Sequence, residues 1–222
     1  MKQGDFNLLK KKLPEFPGIQ GKEKYFNSVV LVPLVLIDGE YHFLFQKRAA
    51  HIRQGGEICF PGGRHDPKCD LTYKETAIRE TVEEIGIKRE KIKIHGNLDT
   101  LIALIGATVD AFIATLEIKS PDELTPQKNE VEKLFTLPVS FFERNEPEKY
   151  SVRSEIQSSY MDQNGEKVVL LPTEALNLPE RYAESWGFRR HRILVYNTRE
   201  TPIWGITAEI IYEIIQKIRC RS

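Results

Sequence analysis

Arg79, Glu80, Glu83 and Glu84 crowd one cation and three carboxylates into a short stretch downstream of Phe60-Pro61-Gly62-Gly63. On a helix turning roughly 100° per residue, Glu80 and Glu84 stack over one turn. Glu83 lies beside them, three on from Glu80 and four on from Arg79, so all three acids share one patch. Like charges at that spacing repel, and the grouping is costly unless something positive binds there. Oxygen-only ligands favour a hard divalent ion, Mg2+ or Mn2+, so a metal site is the economical explanation. Ile78, Val82 and Ile85 fall on the opposite side of the wheel, which predicts one core face and one chemical face.

Several elements must hold this patch in place. Thr72 and Glu75 stand in the Thr-x-x-Glu relation of a capping box and Gly86 follows the last apolar residue, which predicts a helix over about residues 73–85. Gly55-Gly56 and Gly62-Gly63 bracket Ile58-Cys59-Phe60 and predict a tight bend ahead of it. Upstream, residues 28–37 and 41–46 read as strands joined by an Asp38-Gly39 turn, with Pro33 expected to put part of the first strand at an edge or bulge. Downstream, residues 92–98, 107–118, 130–136, 168–171 and 192–196 read as strands, and Asn164-Gly165 as a hairpin turn. Thr207 is expected to cap a final helix whose Ile210, Ile211, Ile214, Ile215 and Ile218 form a buried stripe. Phe6, Leu8, Leu9 and Leu13 among lysines predict a short amphipathic helix ending at Pro14. Mixed in this order, the elements point to an α/β fold, a mixed sheet with helices on both sides.

Composition narrows the function classes. The 222 residues, 41% of them hydrophobic, are enough for one core. A single domain is therefore expected over 1–222, with an N-terminal helix and linker (1–24), a core (25–142) and C-terminal strands and helix that complete it (143–222). Lys plus Arg equals Asp plus Glu at 32 each, so no net field draws in nucleic acid or an anionic membrane. No apolar run reaches the length of a membrane span and the first residues lack a signal-peptide core, which makes a cytoplasmic protein the expectation. Cys59, Cys69 and Cys220 have neither disulfide nor zinc spacing.

With those residues in view, the chain resembles a Nudix hydrolase. That family's box is a glycine, five residues, a glutamate, seven residues, then Arg-Glu-apolar-x-Glu-Glu-x-Gly-apolar. Its second half corresponds to residues 79–87 here, with Thr81 at the first apolar place. The first half departs from it: Leu71 occupies the glutamate position and Gly63 lies two residues too far upstream. That departure is similar to the coenzyme A pyrophosphatases, whose boxes run Phe-Pro-Gly-Gly-x-x-Asp-x-x-x-Asp before the helix. The arginine motif of that subfamily is resembled by Arg48-Ala49, Arg53 and Gly56, one residue short between the last two. Residues 129–139 and 203–208 resemble its late strand and the start of its last helix.

The resemblance implies a Nudix fold, an α/β/α sandwich, and hydrolysis of a nucleoside diphosphate linked to another group. Glu80 and Glu84 would hold the metal, with Glu83 as a further ligand or as the base that orients water. Arg79 would pin Glu83 across a turn. Gly62 would offer its carbonyl to the metal or serve only as a turn, and Glu130 would be an additional acid or a structural group. Arg48, Arg53 and Gly63 would bind substrate. The Asp66 or Asp70 carboxylate could stand in for the glutamate missing at Leu71. The Arg189–Arg192 cluster reads as a solvated charge run or as a contact for a 3′-phosphate. The substrate expected is coenzyme A or a thioester of it; an ADP-ribose, NADH or dinucleotide polyphosphate pyrophosphatase is the alternative, and a non-catalytic nucleotide sensor the alternative of another class. A homodimer is left open.

Overall fold

The computed structural model describes residues 1–104, 106–199 and 201–220. In chain order the helices and strands are α1 (Gln3–Lys12), β1 (Phe26–Ile37), β2 (Glu40–Arg48), β3 (Ile58–Cys59), β4 (Gly62–Arg64), α2 (Tyr73–Ile85), β5 (Ile92–Asn97), β6 (Leu101–Ala103), β7 (Ala107–Leu116), β8 (Val131–Pro138), α3 (Val139–Arg144), β9 (Glu148–Ile156), β10 (Ser159–Met161), β11 (Lys167–Val169), β12 (Trp186–Tyr196), β13 (Ile203–Trp204) and α4 (Gly205–Arg219). The main sheet runs β3-β2-β1-β7-β5, with β4 on β1, β6 on β7 and β8 on β2. β1 and β7 are parallel from Phe26 opposite Ala107 to Leu34 opposite Thr115, whereas the β1–β2, β2–β8 and β5–β7 pairs are antiparallel. A parallel pair needs a crossover, and here the crossover carries α2.

Strand alternation feeds two cores. Val29, Leu31 and Val35 of β1 join Leu44, Ala77 and Ile85 on the α2 side. Val32 joins Phe43, Phe45, Phe142, Ile211 and Ile215 on the α3 and α4 side, where Phe45 stacks on Phe60 at 5.0 Å. Helices therefore cover both faces of a mixed sheet. Among the described residues no helix is long and apolar enough to cross a membrane.

The β1–β2 turn is made by Asp38 and Gly39, whose φ values of 48° and 83° are the paired positive angles that a two-residue hairpin requires. Pro33 corrects an expectation, because β1 is central rather than an edge. On one side β1 changes partner from β4 (Ser28 to Val30) to β2 (Leu34 to Ile37), and Leu31 donates its N–H to Pro61 O at 2.9 Å in between. Residue 33 points its backbone to the same side as residue 31, so its missing N–H falls in the gap between partners. Thr207 does not cap α4: the N-cap is Trp204, and the Thr207 hydroxyl, inside the helix, donates to Ile58 O at 3.2 Å. α1 forms where its pattern predicts, but buries none of its residues. Beyond the main sheet, β13-β12-β9 make a three-stranded sheet and β10–β11 a hairpin.

Candidate active site

α2 begins with the capping box read from the sequence. Glu75 N donates to Thr72 Oγ1 and Thr72 N to Glu75 Oε2, both at 3.2 Å. Glu75 is thus spent on the cap. At the other end Gly86 takes φ 68°, and a Cβ there would lie 2.1 Å from Thr125 O, so glycine is needed for both angle and space. Between these ends the helix buries Thr76, Ala77, Ile78, Thr81, Glu84 and Ile85. The two-faced wheel needs one correction: Glu84 belongs to the buried side, because positions 77, 81, 84 and 85 share the stripe that meets the sheet.

A buried carboxylate needs partners, and Glu84 finds them on two strands. Its Oε2 accepts from Gly62 N at 2.8 Å and from Gln46 Nε2 at 3.0 Å. Gly62 can present that N–H because β4 lies so close to β1 that a Cβ at Gly62 would sit 2.1 Å from Val29 O. The bond observed at Gly62 is therefore made by its N–H. Gly63 meets a different neighbour: its Cβ would fall 2.4 Å from the Glu80 carboxyl carbon, so Glu80 lies flush against bare backbone.

Arg79 is the hub of the acidic patch. It donates to Glu83 Oε2 at 2.9 Å, to Glu80 Oε1 at 2.8 Å, and through Nε and Nη2 to Asp70 at 3.0–3.2 Å. Asp70 also accepts from the Thr76 hydroxyl at 3.0 Å, and Thr76 in turn meets His65 Nδ1 at 2.8 Å. Of the two candidate substitutes for the glutamate missing at Leu71, Asp70 is turned into the site. Asp66 instead braces its own loop through Lys68 N, and Leu71 itself is 91% exposed. No motif in the sequence marks Gln46. The signal was available, since residue 46 follows Leu44 by two along β2 and so faces α2 as a polar group on an apolar row. Its Oε1 is buried without a hydrogen bond among the described residues.

The remaining candidates divide. Arg48 is half-buried, with Nε donating to Arg53 O at 3.1 Å, and its charge acts on Glu84 and Glu57. Arg53 contributes that carbonyl while its side chain lies on the exposed loop tip. Glu130 is near enough for its charge to act on Glu80, and its backbone O accepts from Ala49 N at 2.9 Å. The Arg189–Arg192 run lies on β12 in the separate sheet, with Arg192 paired to Glu209.

Burial pushes the Glu84 carboxyl up to about 7, against the opposing pull of Gly62 N–H and Gln46. Burial also raises Glu80; Arg79 opposes the rise while the charges of Glu83 and Glu130 add to it. Asp70 is held below the carboxylate range, chiefly by its bonds from Arg79. Among the described residues no three acidic, histidine or cysteine side chains converge on one cation position, so the patch is no preformed cage. Its donor chemistry nevertheless fits a hard divalent cation. Among the described residues Glu80 Oε2, Glu83 Oε1 and Glu84 Oε1 accept no hydrogen bond, while each partner oxygen is held by Arg79 or by Gly62 and Gln46.

The family profile described as NUDIX domain matches residues 28–156, which take in Gln46, Arg48, Arg53, Gly62, Gly63, Asp70, Arg79, Glu80, Glu83, Glu84 and Glu130 but not the Arg189–Arg192 run. The chain belongs to the NUDIX family. Among NUDIX relatives it is 41% identical over 115 residues to Nudix hydrolase 3 of Caenorhabditis elegans, covering 50% of this chain and 46% of that protein. It is 32% identical over 127 residues to the mitochondrial coenzyme A diphosphatase NUDT8 of Homo sapiens, covering 56% of this chain and 53% of that one. The chain thus spans about half the length of these relatives. A solved Nudix hydrolase from M. smegmatis, RenU, superposes with a TM-score of 0.44 at 20% identity, over 53% of this chain and 73% of that one.

Proposed function

We propose that this NUDIX chain is a divalent-metal-dependent hydrolase that cleaves the pyrophosphate bond of coenzyme A or its thioesters, releasing 3′,5′-ADP and 4′-phosphopantetheine or its acyl form. One observation carries hydrolysis: Glu80 lies near enough to Glu83 and to Glu84 for their charges to interact, and among the described residues each of the three is tethered through one oxygen while its other oxygen accepts no hydrogen bond. Glu80 and Glu84, with Glu83, would hold Mg2+ or Mn2+, which when bound neutralises phosphate charge and lowers the pKa of an attacking water. Arg79 holds Glu80 and Glu83 in position from Asp70. Glu83, the most exposed of the three acids, orients or deprotonates water, and the Arg48 and Arg53 guanidiniums grip phosphate oxygens.

The choice of coenzyme A is supported by the Arg48-Ala49, Arg53, Gly56 spacing and by the coenzyme A diphosphatase activity in the human relative's name. The test is a panel of coenzyme A, acyl-coenzyme A, ADP-ribose, NADH and diadenosine polyphosphates with either metal, products identified by mass. Turnover of coenzyme A above the others is expected. Preferred turnover of another member reassigns the substrate, and no turnover of any member overturns hydrolysis. Arg53→Ala should lower turnover of coenzyme A more than of ADP-ribose; equal losses would remove Arg53 from coenzyme A recognition.

A further inference from the structure

β9 is the last strand of its sheet, paired with β12 on one side and with nothing on the other among the described residues. All nine of its residues are exposed, including Tyr150 at 57%, Val152 at 48% and Ile156 at 53%. It contains neither proline nor glycine, and its irregularity of pairing lies on β12, between Trp186 and Arg189. Such a strand offers a row of unpaired N–H and C=O groups to another strand.

We propose that β9 pairs antiparallel with β9 of a second copy of this chain, joining two three-stranded sheets into one sheet of six strands across a two-fold axis at Val152. The register follows from charge. Overlapping all of residues 148–156 sets Val152 against Val152, Tyr150 against Ser154 and Lys149 against Glu155, and the symmetry repeats the Lys–Glu pair. Moving the axis to Ser151 would set Lys149 against Arg153, and moving it to Arg153 would set that arginine against itself. Both neighbouring symmetric registers therefore oppose like charges. Arg153 is already engaged within its own chain, lying over the Phe188 ring at 4.3 Å, and Glu155, which accepts from Gln157 at 2.8 Å and stands 3.7 Å from Arg153, is exposed enough to exchange those partners for Lys149 of the second copy. On the other face Tyr150, Val152 and Ile156 continue the row of Ile193 and Trp186, which stand opposite Tyr150 and Ile156 on β12. Pairing two copies merges these apolar rows into one continuous row across the joined sheet.

The test is sedimentation velocity over a concentration series on the full chain, with circular dichroism to confirm that each variant is folded. Wild type should dimerise. Lys149→Glu and Glu155→Lys each convert both attractive pairs into repulsive ones and should weaken the dimer about tenfold or more. An equal mixture of the two variants restores opposite charges at every pair and should dimerise again. A wild type that stays monomeric, single variants that dimerise as well as wild type, or a mixture that fails to associate would each overturn the proposal.

Discussion

Glu84→Gln tests the buried carboxylate without relying on turnover. The replacement keeps an oxygen to accept from Gly62 N–H and Gln46 Nε2 and removes only the charge. In the wild-type fold the Glu84 carboxyl titrates at about 7 instead of its ordinary 4.5, because burial favours the neutral form. At about 1.4 kcal/mol per pH unit, that difference is worth about 3 kcal/mol. A raised carboxyl binds its proton more tightly folded than unfolded. Its contribution is fully present below pH 4.5 and is lost as pH rises through about 7. The variant, having no such proton to lose, should match wild type near pH 4.5 and exceed it by about 3 kcal/mol at pH 8. Urea unfolding of chelator-treated protein across that range measures the difference directly. Added Mg2+ or Mn2+ should then stabilise wild type at pH 8, by about 2.7 kcal/mol at a hundredfold excess over Kd, and leave the variant unchanged. A stability difference that stays constant from pH 4.5 to 8 would refute the reasoning.

Gly63→Ala puts a methyl into the Glu80 carboxyl, the end of a movable side chain; kcat should fall by about a hundredfold while stability changes by about 1 kcal/mol or less, read by steady-state kinetics and thermal melting. Asp70→Asn removes the charge that anchors Arg79 and should cost about 2 kcal/mol at pH 7. Because the Asp70 carboxyl is depressed, that cost should persist down to the ordinary value of 3.8 and be lost as pH falls further, through the lower folded value, which denaturant titration at neutral and acid pH will show. Gly86→Ala meets both the positive φ and Thr125 O, and should lower stability by about 2 kcal/mol or more, measured by chemical unfolding.

The helix was legible to the residue because its signals are local: a hydroxyl and a carboxylate at capping distance, and a glycine where the chain must turn left-handed. The β1–β2 hairpin was legible for the same reason. What the sequence concealed was what depends on approach between distant segments. Glu84 reads as one more exposed acid until β2 and β4 bring Gln46 and Gly62 against it. Pro33 argues for an edge unless β4 and β2 are known to share one side of β1. Residues 148–156 alternate weakly and bury nothing, so no hydrophobic period marks them as strand. Asp70 is one of two aspartates the sequence offers in place of Leu71, and only the fold aims it at Arg79.

Arg79 also bears on the order of assembly. One guanidinium binds Asp70, Glu80 and Glu83 at once, which places a positive charge among carboxylates that would otherwise push apart. The acidic helix therefore carries its own counterion through folding, and the chain can reach its native shape before a divalent ion is loaded. On the proposed metal-dependent reading, a cell short of that ion would accumulate a folded, idle protein instead of an unfolded one.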